Sequence, residues 1–358
     1  MKKNVVLIAL ILLIAEFSHG QILGGGGAQS RSDSSKNFSF VPIPYVSYSR
    51  SIGFGYGLIP MAMYTINKKD TISPQSMTGA MIMGTTNDTW MGGVFGRFFL
   101  DEDNYRITMA AITGNVNFQF YPDLPGLPEV VDYSTGLDYI NFNIQRKIAP
   151  SMYAGLGYIY THFATNYDIG DIPTDYSDLH GGLLIWSYDK RDDVYYPWEG
   201  YLTNFNYNFF PEFFGNAVSS NKITIDHNQY FSTRQKKDVI AARLYIGVGI
   251  GDLSFNQQFV LGGKDLRGYS QGEFRGEQIY TLQGEYRWNL TERFGLVGFA
   301  GMAMVHNEEM TNNNGTLLPA AGGGFRINVF PKNHLNVGLD AAAGKRDWSV
   351  SFQIGETF

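Results

Sequence analysis

The sequence contains no cysteine, and only 27 of its 358 residues are lysine or arginine. The absence of cysteine excludes disulfide frameworks, thiolate metal sites and thiol catalysis. The formal net charge of -6 argues against a nucleic-acid-binding surface. Charged residues make up 17% of the chain, whereas soluble domains usually contain roughly 25%. The low share indicates an exterior that is not covered mainly by charge.

Long apolar runs are scarce as well. Residues 1–20 have a basic start, an apolar core from Val5 to Ile14 and small residues before a cleavage point, which is the pattern of a secretory signal peptide. Beyond them no stretch approaches the ~18 apolar residues of a membrane-spanning helix. Residues 21–37 are Gly/Ser-rich without periodicity and are predicted to form a flexible periplasmic linker.

From residue 38 to residue 358 the chain consists of segments of alternating polarity, separated by Gly, Asn, Asp and Pro clusters. In residues 279–290 one face carries mainly Tyr, Leu and Trp, and the other carries Thr, Gln, Glu, Arg and Asn. A soluble β-sandwich also alternates, but the Tyr/Phe-rich face here suits lipid, and the Asn/Gln/Ser/Thr face suits a wet lumen. The pattern predicts an all-β, transmembrane antiparallel β-barrel over residues 38–358.

The number of segments sets the size of the barrel. Sharing the domain among sixteen strands leaves ~20 residues for each strand and its connection, enough for a tilted crossing of ~9–11 residues plus a turn. The strands are predicted to begin near Phe40, Phe54, Ser76, Trp90, Tyr105, Tyr133, Met152, Leu179, Gly200, Lys222, Val239, Ile279, Phe294, Leu317, Leu335 and Trp348.

The connections between these strands fall into two alternating sets. One set is mostly short and charged or Pro-bearing, as at residues 67–70 and 233–237, whereas the other includes long loops, as at residues 121–132 and 252–277. In bacterial barrels short turns are periplasmic and long loops are extracellular. The sequence therefore predicts an outer-membrane protein of a Gram-negative bacterium with both termini in the periplasm.

Three motifs carry a family resemblance. The run LGGKDLRGY from Leu261 to Tyr269, with FRG and GEYR shortly after it, resembles the signature of the BamA/TamA family of the bacterial surface antigen superfamily. The ending from Phe352 to Phe358 resembles the closing strand of that family. A turn after the eighth strand is similar to the family's periplasmic turn motif at Asp189, Arg191, Asp192, Pro197 and Gly200.

The resemblance implies that the loop between the eleventh and twelfth strands folds into the lumen, where Arg267, beside Gly268 and Tyr269, binds acids on neighbouring strands. Glu285 matches the first of these acids, and its place in the alternation points it inward. The second acid is expected near Gly301, where this chain has none, so Asp340 is a candidate substitute. Glycine and a planar guanidinium suit such a lock on their own chemistry. An ordinary surface turn at Arg267 is the alternative.

Two features concern the ends of the barrel. Pro42 and Pro44 lie in the first strand and cannot donate backbone hydrogen bonds. They predict either a weakly paired seam between first and last strands or an ordinary strand start. The resemblance also implies that Phe352, Ile354 and Phe358 form the aliphatic and aromatic signal by which such barrels are recognised for membrane insertion.

The sequence narrows the function without fixing it. Family members that insert or export polypeptides normally carry periplasmic POTRA modules, which do not fit into residues 21–37, so a separate periplasmic or outer-membrane partner is expected. The histidines lack metal-ligand spacing and no HExxH, GxSxG or Walker string occurs, so no enzyme activity, metal or cofactor is predicted. Three hypotheses follow: polypeptide assembly or translocation, a passive pore, and a structural subunit of a larger outer-membrane complex.

Overall fold

The computed structural model describes residues 38–49, 53–120, 131–168, 173–254, 257–270, 274–306 and 314–358. The predicted signal peptide and linker lie outside the described residues. Within the described part, no helix has the length and apolarity needed to cross a membrane.

Sixteen antiparallel strands close into a barrel, and two short strands form a separate hairpin. The predicted fold and the count of sixteen barrel strands are confirmed. The strands, in chain order, are β1 (Phe38–Ser49), β2 (Gly53–Tyr64), β3 (Ser76–Thr85), β4 (Trp90–Leu100), β5 (Tyr105–Phe120), β6 (Val131–Ala149), β7 (Met152–Tyr167), β8 (Asp175–Asp189), β9 (Gly200–Phe210), β10 (Ser220–Thr233), β11 (Asp238–Gly251), β12 (Phe259–Val260), β13 (Arg275–Gly276), β14 (Gln278–Asn289), β15 (Phe294–His306), β16 (Leu318–Phe330), β17 (Leu335–Gly344) and β18 (Asp347–Ile354). The hairpin of β12 and β13 belongs to the long loop, so the twelfth barrel strand is β14.

The two faces of the strands differ because side chains alternate along each strand. Outward positions expose large apolar groups such as Ile82, Leu156 and Leu184, the surface that lipid requires. Inward positions of β6 and β9 carry amides, including Asn141 and Asn206. These strands have the polar inner face that the alternation predicts.

The inner face of β2–β4 corrects the expectation of a lumen that is polar all round. Most inward side chains there are apolar, and each of these is at most 5% exposed, whereas Ser76, Thr85 and Arg97 are buried polar exceptions. Methionine is flexible and fills irregular space, so the apolar side chains of β2–β4 form a packed core. The residues of β2–β4 that belong to this apolar core are Ile59, Met61, Met63, Met77, Met81, Met83, Met91 and Phe95.

The connections alternate between the two ends of the barrel, as the strand order requires. Their lengths follow the predicted division only in part. Residues 65–75 and 190–199 are long connections at the end where short turns are predicted, whereas residues 345–346 form a short turn at the opposite end. The reason is that residues 190–199 do more than reverse the chain, since they cover one mouth of the lumen.

The seam between β1 and β18 is the weakest pairing in the barrel. Among the residues that the structure describes, Tyr48 and Val350 are the one pair in register between these strands, whereas β1 and β2 pair along their whole length. Side chains continue the contact beyond the paired backbone: Tyr48 stacks on Trp348, and Tyr45 meets the edge of Phe352. The barrel is closed at the seam largely by side chains.

Candidate functional site

The long loop after β11 enters the lumen and packs there. Leu261 donates its backbone N–H to Phe274 O at 2.8 Å, which extends the β12–β13 hairpin. Tyr269 donates its hydroxyl to Pro319 O at 2.7 Å, anchoring the loop to β16. Gly268 has φ +104°, and a Cβ there would lie 2.9 Å from the Ala343 backbone. Glycine is required at this position for both conformation and space.

Arg267 lies in the described part of the loop and is 1% exposed. Its Nη1 donates to Asp340 Oδ2 at 2.6 Å and to Thr357 Oγ1 at 2.8 Å. Its Nη2 lies 2.8 Å from Glu285 Oε2, an ion-pair contact that is not aligned as a hydrogen bond. The guanidinium also lies 3.4 Å from the centroid of the Phe299 ring, a favourable cation–π contact.

The acids around Arg267 belong to a larger buried cluster, which we call the charge ring: Arg267, Glu285, Arg287, Glu356, Arg326 and Asp340. Each member contacts the next in this order and the last contacts the first, at distances between 2.5 and 3.7 Å. Every side chain in it is at most 3% exposed. Three guanidinium groups therefore alternate with three carboxylates around a closed circuit of zero net charge.

The charge ring joins parts of the chain that are far apart in sequence. Arg267 comes from the long loop, whereas β14, β16 and β17 supply four members and the residues after β18 supply Glu356. A buried charge is tolerated when it is paired and hydrogen-bonded, and removing one partner leaves the other uncompensated. The ring is consequently sensitive to the loss of any single member.

The acid that the family pattern puts near Gly301 is absent, and the structure shows what occupies the space. A Cβ at Gly301 would lie 2.8 Å from Gln283 Cγ and 2.9 Å from Leu266 Cδ1. Glycine there admits the loop side chain, and Asp340 on β17 supplies the second carboxylate to Arg267.

The residues of the predicted turn motif lie together between β8 and β9, at the end of the barrel opposite the one from which the long loop enters. Arg191 contacts Asp189 at 3.0 Å and is buried, while Asp192 accepts backbone N–H groups from Trp198 and Glu199. Burial of the guanidinium lowers the pKa of Arg191, but its interactions with Asp189 and Tyr230 together raise it by more, so the pKa lies above its usual value.

Pro197 and Gly200 complete the turn. Pro197 is buried, and Gly200 has φ +95° with backbone so close that no side chain fits. The turn then crosses the mouth of the lumen, because Tyr195 donates its hydroxyl to Gln75 O at 2.6 Å and Asp193 lies 3.2 Å from His334 Nδ1. Among the described residues, His, Asp and Glu form no group of three that could hold a metal ion.

The C-terminal residues correct one expectation. The sequence puts Phe358 on the same face as Phe352 and Ile354, but β18 ends at Ile354 and Gly355, with φ +81°, turns the chain inward. Phe358 is 8% exposed and packs inside the lumen, where its backbone oxygen accepts from Arg287. The proposed role in membrane insertion concerns the chain before it folds, so it stays a prediction.

Pro42 and Pro44 lie on the part of β1 for which no backbone pair with β18 is formed within the described residues. Sequence reasoning named these prolines, Arg267, Glu285 and Asp340, but missed Arg287, Arg326 and Glu356. Inward-pointing charges in strands that otherwise alternate cleanly were the available signal for the two arginines. Glu356 had no such signal, because its position depends on the turn at Gly355.

Comparison with known proteins places the chain in a family. The model of the Omp85 superfamily domain matches residues 86–358, and no curated protein sequence matches the chain. BamA from Haemophilus ducreyi lacking POTRA domains 1–3 has a similar fold, with TM-score 0.56, 12% identity, and coverage of 89% of this chain and 70% of that one.

CdiB from Acinetobacter baumannii is similar at TM-score 0.61 and 14% identity, covering 89% of this chain and 60% of that one. CdiB from Escherichia coli is similar at TM-score 0.60 and 11% identity, covering 89% of this chain and 62% of that one. The chain thus spans between 60% and 70% of the length of these proteins. The family resemblance read from the motifs is confirmed: this chain is an outer-membrane β-barrel that belongs to the Omp85 superfamily.

Proposed function

We propose that this barrel assembles or translocates polypeptides at the outer membrane, that its β1–β18 seam opens to admit the client, and that a separate periplasmic protein delivers it. The single registered pair at the seam carries this proposal. Opening a seam requires breaking its backbone hydrogen bonds, which have no water to replace them within the bilayer. A seam with one registered pair opens at far lower cost than any other strand boundary of this barrel.

The filling of the lumen favours this function over a passive pore. The long loop packs inside the barrel near one end, and residues 190–199 cover the other mouth. The inner face of β2–β4 contributes mainly to a packed apolar core. Conduction needs a continuous aqueous path, so a purified wild-type barrel in a planar bilayer is expected to show little steady conductance.

A tether across the seam is expected to abolish the proposed activity. The variant carries Tyr48→Cys and Val350→Cys, whose Cα atoms are register partners, so oxidation holds the strands together. Cells with this barrel as their sole copy should lose several-fold in folded, heat-modifiable outer-membrane proteins or in secreted polypeptide, and a reductant should restore the level.

The matched control is a disulfide between Ala62→Cys and Thr78→Cys, which are partners on β2 and β3. That tether crosses a fully paired boundary and should leave the level unchanged. Normal assembly and secretion with the seam tether fully formed would contradict the proposal. Co-purification tests the partner separately. If another protein delivers the client, a periplasmic protein should co-purify with the barrel in stoichiometric amount.

Orientation has its own test. A cysteine at Val218, exposed in the β9–β10 connection, should react with an impermeant maleimide on intact cells, whereas one at Lys236 should react only after permeabilisation. Asp171 and Asn313, on the long loops, are also predicted to be extracellular but lie outside the described residues. Labelling of Lys236→Cys on intact cells would reverse the proposed topology and place both termini outside.

A further inference from the structure

Between the long loop and the periplasmic turn lies a cavity of about 240 Å³. One part of its wall carries side-chain amides from β6 and β9, namely Asn141, Asn143, Asn204 and Asn206. Amides donate and accept hydrogen bonds without charge. This wall suits a molecule that carries hydroxyl or amide groups.

The charges that line the cavity are unbalanced. Among the described residues, two carboxylates face it, those of Asp226 and Glu356. Asp226 binds Arg243 and Lys264, and Glu356 binds Arg326, so both carboxylates are engaged. Five cationic side chains line the same cavity: Arg97, Arg106, Arg191, Lys222 and Lys264.

Arg97 differs from the other lining arginines. Arg106 contacts Asp103 at 2.6 Å, and Arg191 contacts Asp189 at 3.0 Å. Arg97 is 4% exposed, yet no carboxylate in the described part of the chain lies within ion-pair distance, and its Nε has no hydrogen-bond partner there. Its close neighbour is the Phe99 ring, with the guanidinium carbon 4.9 Å from the ring centroid.

Two carboxylates of this region do not neutralise the Arg97 cation. Asp189 attracts it only from beyond ion-pair distance and is already bound by Arg106 and Arg191. Asp193 accepts the backbone N–H groups of Tyr195 and Tyr196 and lies beside His334. A buried unpaired charge is costly to the fold, and an uncharged side chain of similar size would be tolerated better. An arginine kept in this state is the arrangement expected when its partner is a ligand.

We propose that Arg97 is the anchor of an anion-binding site in the lumen, and that the ligand is a small molecule with a phosphate or carboxylate group on an uncharged, hydrogen-bonding body. The planar guanidinium presents paired donors that match either group. The anionic group lies against Arg97, and the body extends along the amide wall. This site is independent of the function proposed for the seam.

The test uses the full chain refolded in detergent, with sodium phosphate and sodium acetate as probes against sodium chloride at equal ionic strength and pH. Wild-type protein should unfold several degrees higher in at least one probe than in chloride, and the more effective probe identifies the anionic group. Arg97→Gln should lose this increase, while its unfolding temperature in chloride should be no lower than that of wild type.

Arg146→Gln is the matched control, because Arg146 is an exposed residue of β6 outside the cavity. It should keep the full response to the probe. Arg97→Lys keeps the charge but not the planar fork, and calorimetric titration should show binding weakened by about tenfold. An increase that persists in Arg97→Gln, or that is absent from wild type with both probes, overturns the proposal.

Discussion

Arg267→Ala is expected to lower the free energy of unfolding of the barrel by about 3–5 kcal/mol, the range for removing one partner of a buried ion pair. The change removes the contacts with Glu285, Asp340 and Thr357 and the stacking on Phe299. It also leaves the charge ring with a net charge of -1 in a site at most 3% exposed. Limited proteolysis should then cut the loop between residues 252 and 277, which Arg267 no longer holds.

The double variant provides the decisive measurement. Glu285→Ala alone leaves the ring with an excess positive charge and should cost a similar amount. Arg267→Ala with Glu285→Ala restores neutrality, because Arg287 and Arg326 then face Glu356 and Asp340. The double variant should therefore be no less stable than either single variant, which corresponds to a coupling free energy of at least about 3 kcal/mol.

A surface arginine gives the baseline for this experiment. Arg293 is exposed in the β14–β15 turn, and Arg293→Ala should change stability by less than about 0.5 kcal/mol. Additive losses in the double variant would mean that Arg267 and Glu285 act separately. The members of the charge ring would then be close together without energetic coupling. The proposed role of Arg267 and Glu285 in holding the loop would be wrong.

The strand number could be predicted because it depends on local signals, whereas the entry of the loop into the lumen was implied by the family resemblance of its motif. A period of two fixes which side chains of a strand point inward, and glycines with a guanidinium mark a loop able to bind acids. Glu285 was accessible in this way, since it lies on an inward position of a cleanly alternating strand. Asp340 was accessible once Gly301 showed that the nearer strand lacked an acid.

The apolar core inside β2–β4 could not be predicted, because alternation shows only that two faces differ. In β2 both faces are apolar: Leu58 is exposed outward, whereas Ile59 and Met61 are buried inward. Whether an inward methionine meets water or another methionine depends on how the closed barrel is filled. That is settled by side chains from strands far apart in sequence.

The closed charge ring could not be derived from sequence for a related reason. Arg326 and Asp340 lie on neighbouring strands, and their inward direction could be read from alternation. The contact of Asp340 with Arg267 depends on how far the loop descends into the lumen, and the position of Glu356 depends on a backbone reversal at Gly355. A single glycine near a chain end predicts neither the direction nor the extent of such a turn.

The tail that follows Gly355 allows a second test with a large expected effect. The charge at Glu356 can be removed while Phe358 is kept. Glu356→Gln keeps the size of the side chain but leaves the charge ring with a net positive charge, since Arg287 and Arg326 each lose a carboxylate contact. The expected loss in unfolding free energy is about 3–5 kcal/mol, together with faster proteolysis of the loop between residues 252 and 277.

Deletion of Phe358 addresses the other predicted role of this tail. It removes the packing against Tyr196 and Tyr230 and the last residue of the predicted insertion signal, so the amount of heat-modifiable protein in the membrane should fall several-fold. Glu356→Gln keeps that signal and should reach the membrane at wild-type level while its loop is cut faster. Because the two variants are expected to change different measurements, each outcome stands alone. Wild-type protease resistance in Glu356→Gln would show that Glu356 does not stabilise the loop. Wild-type membrane levels without Phe358 would show that Phe358 is not part of the insertion signal.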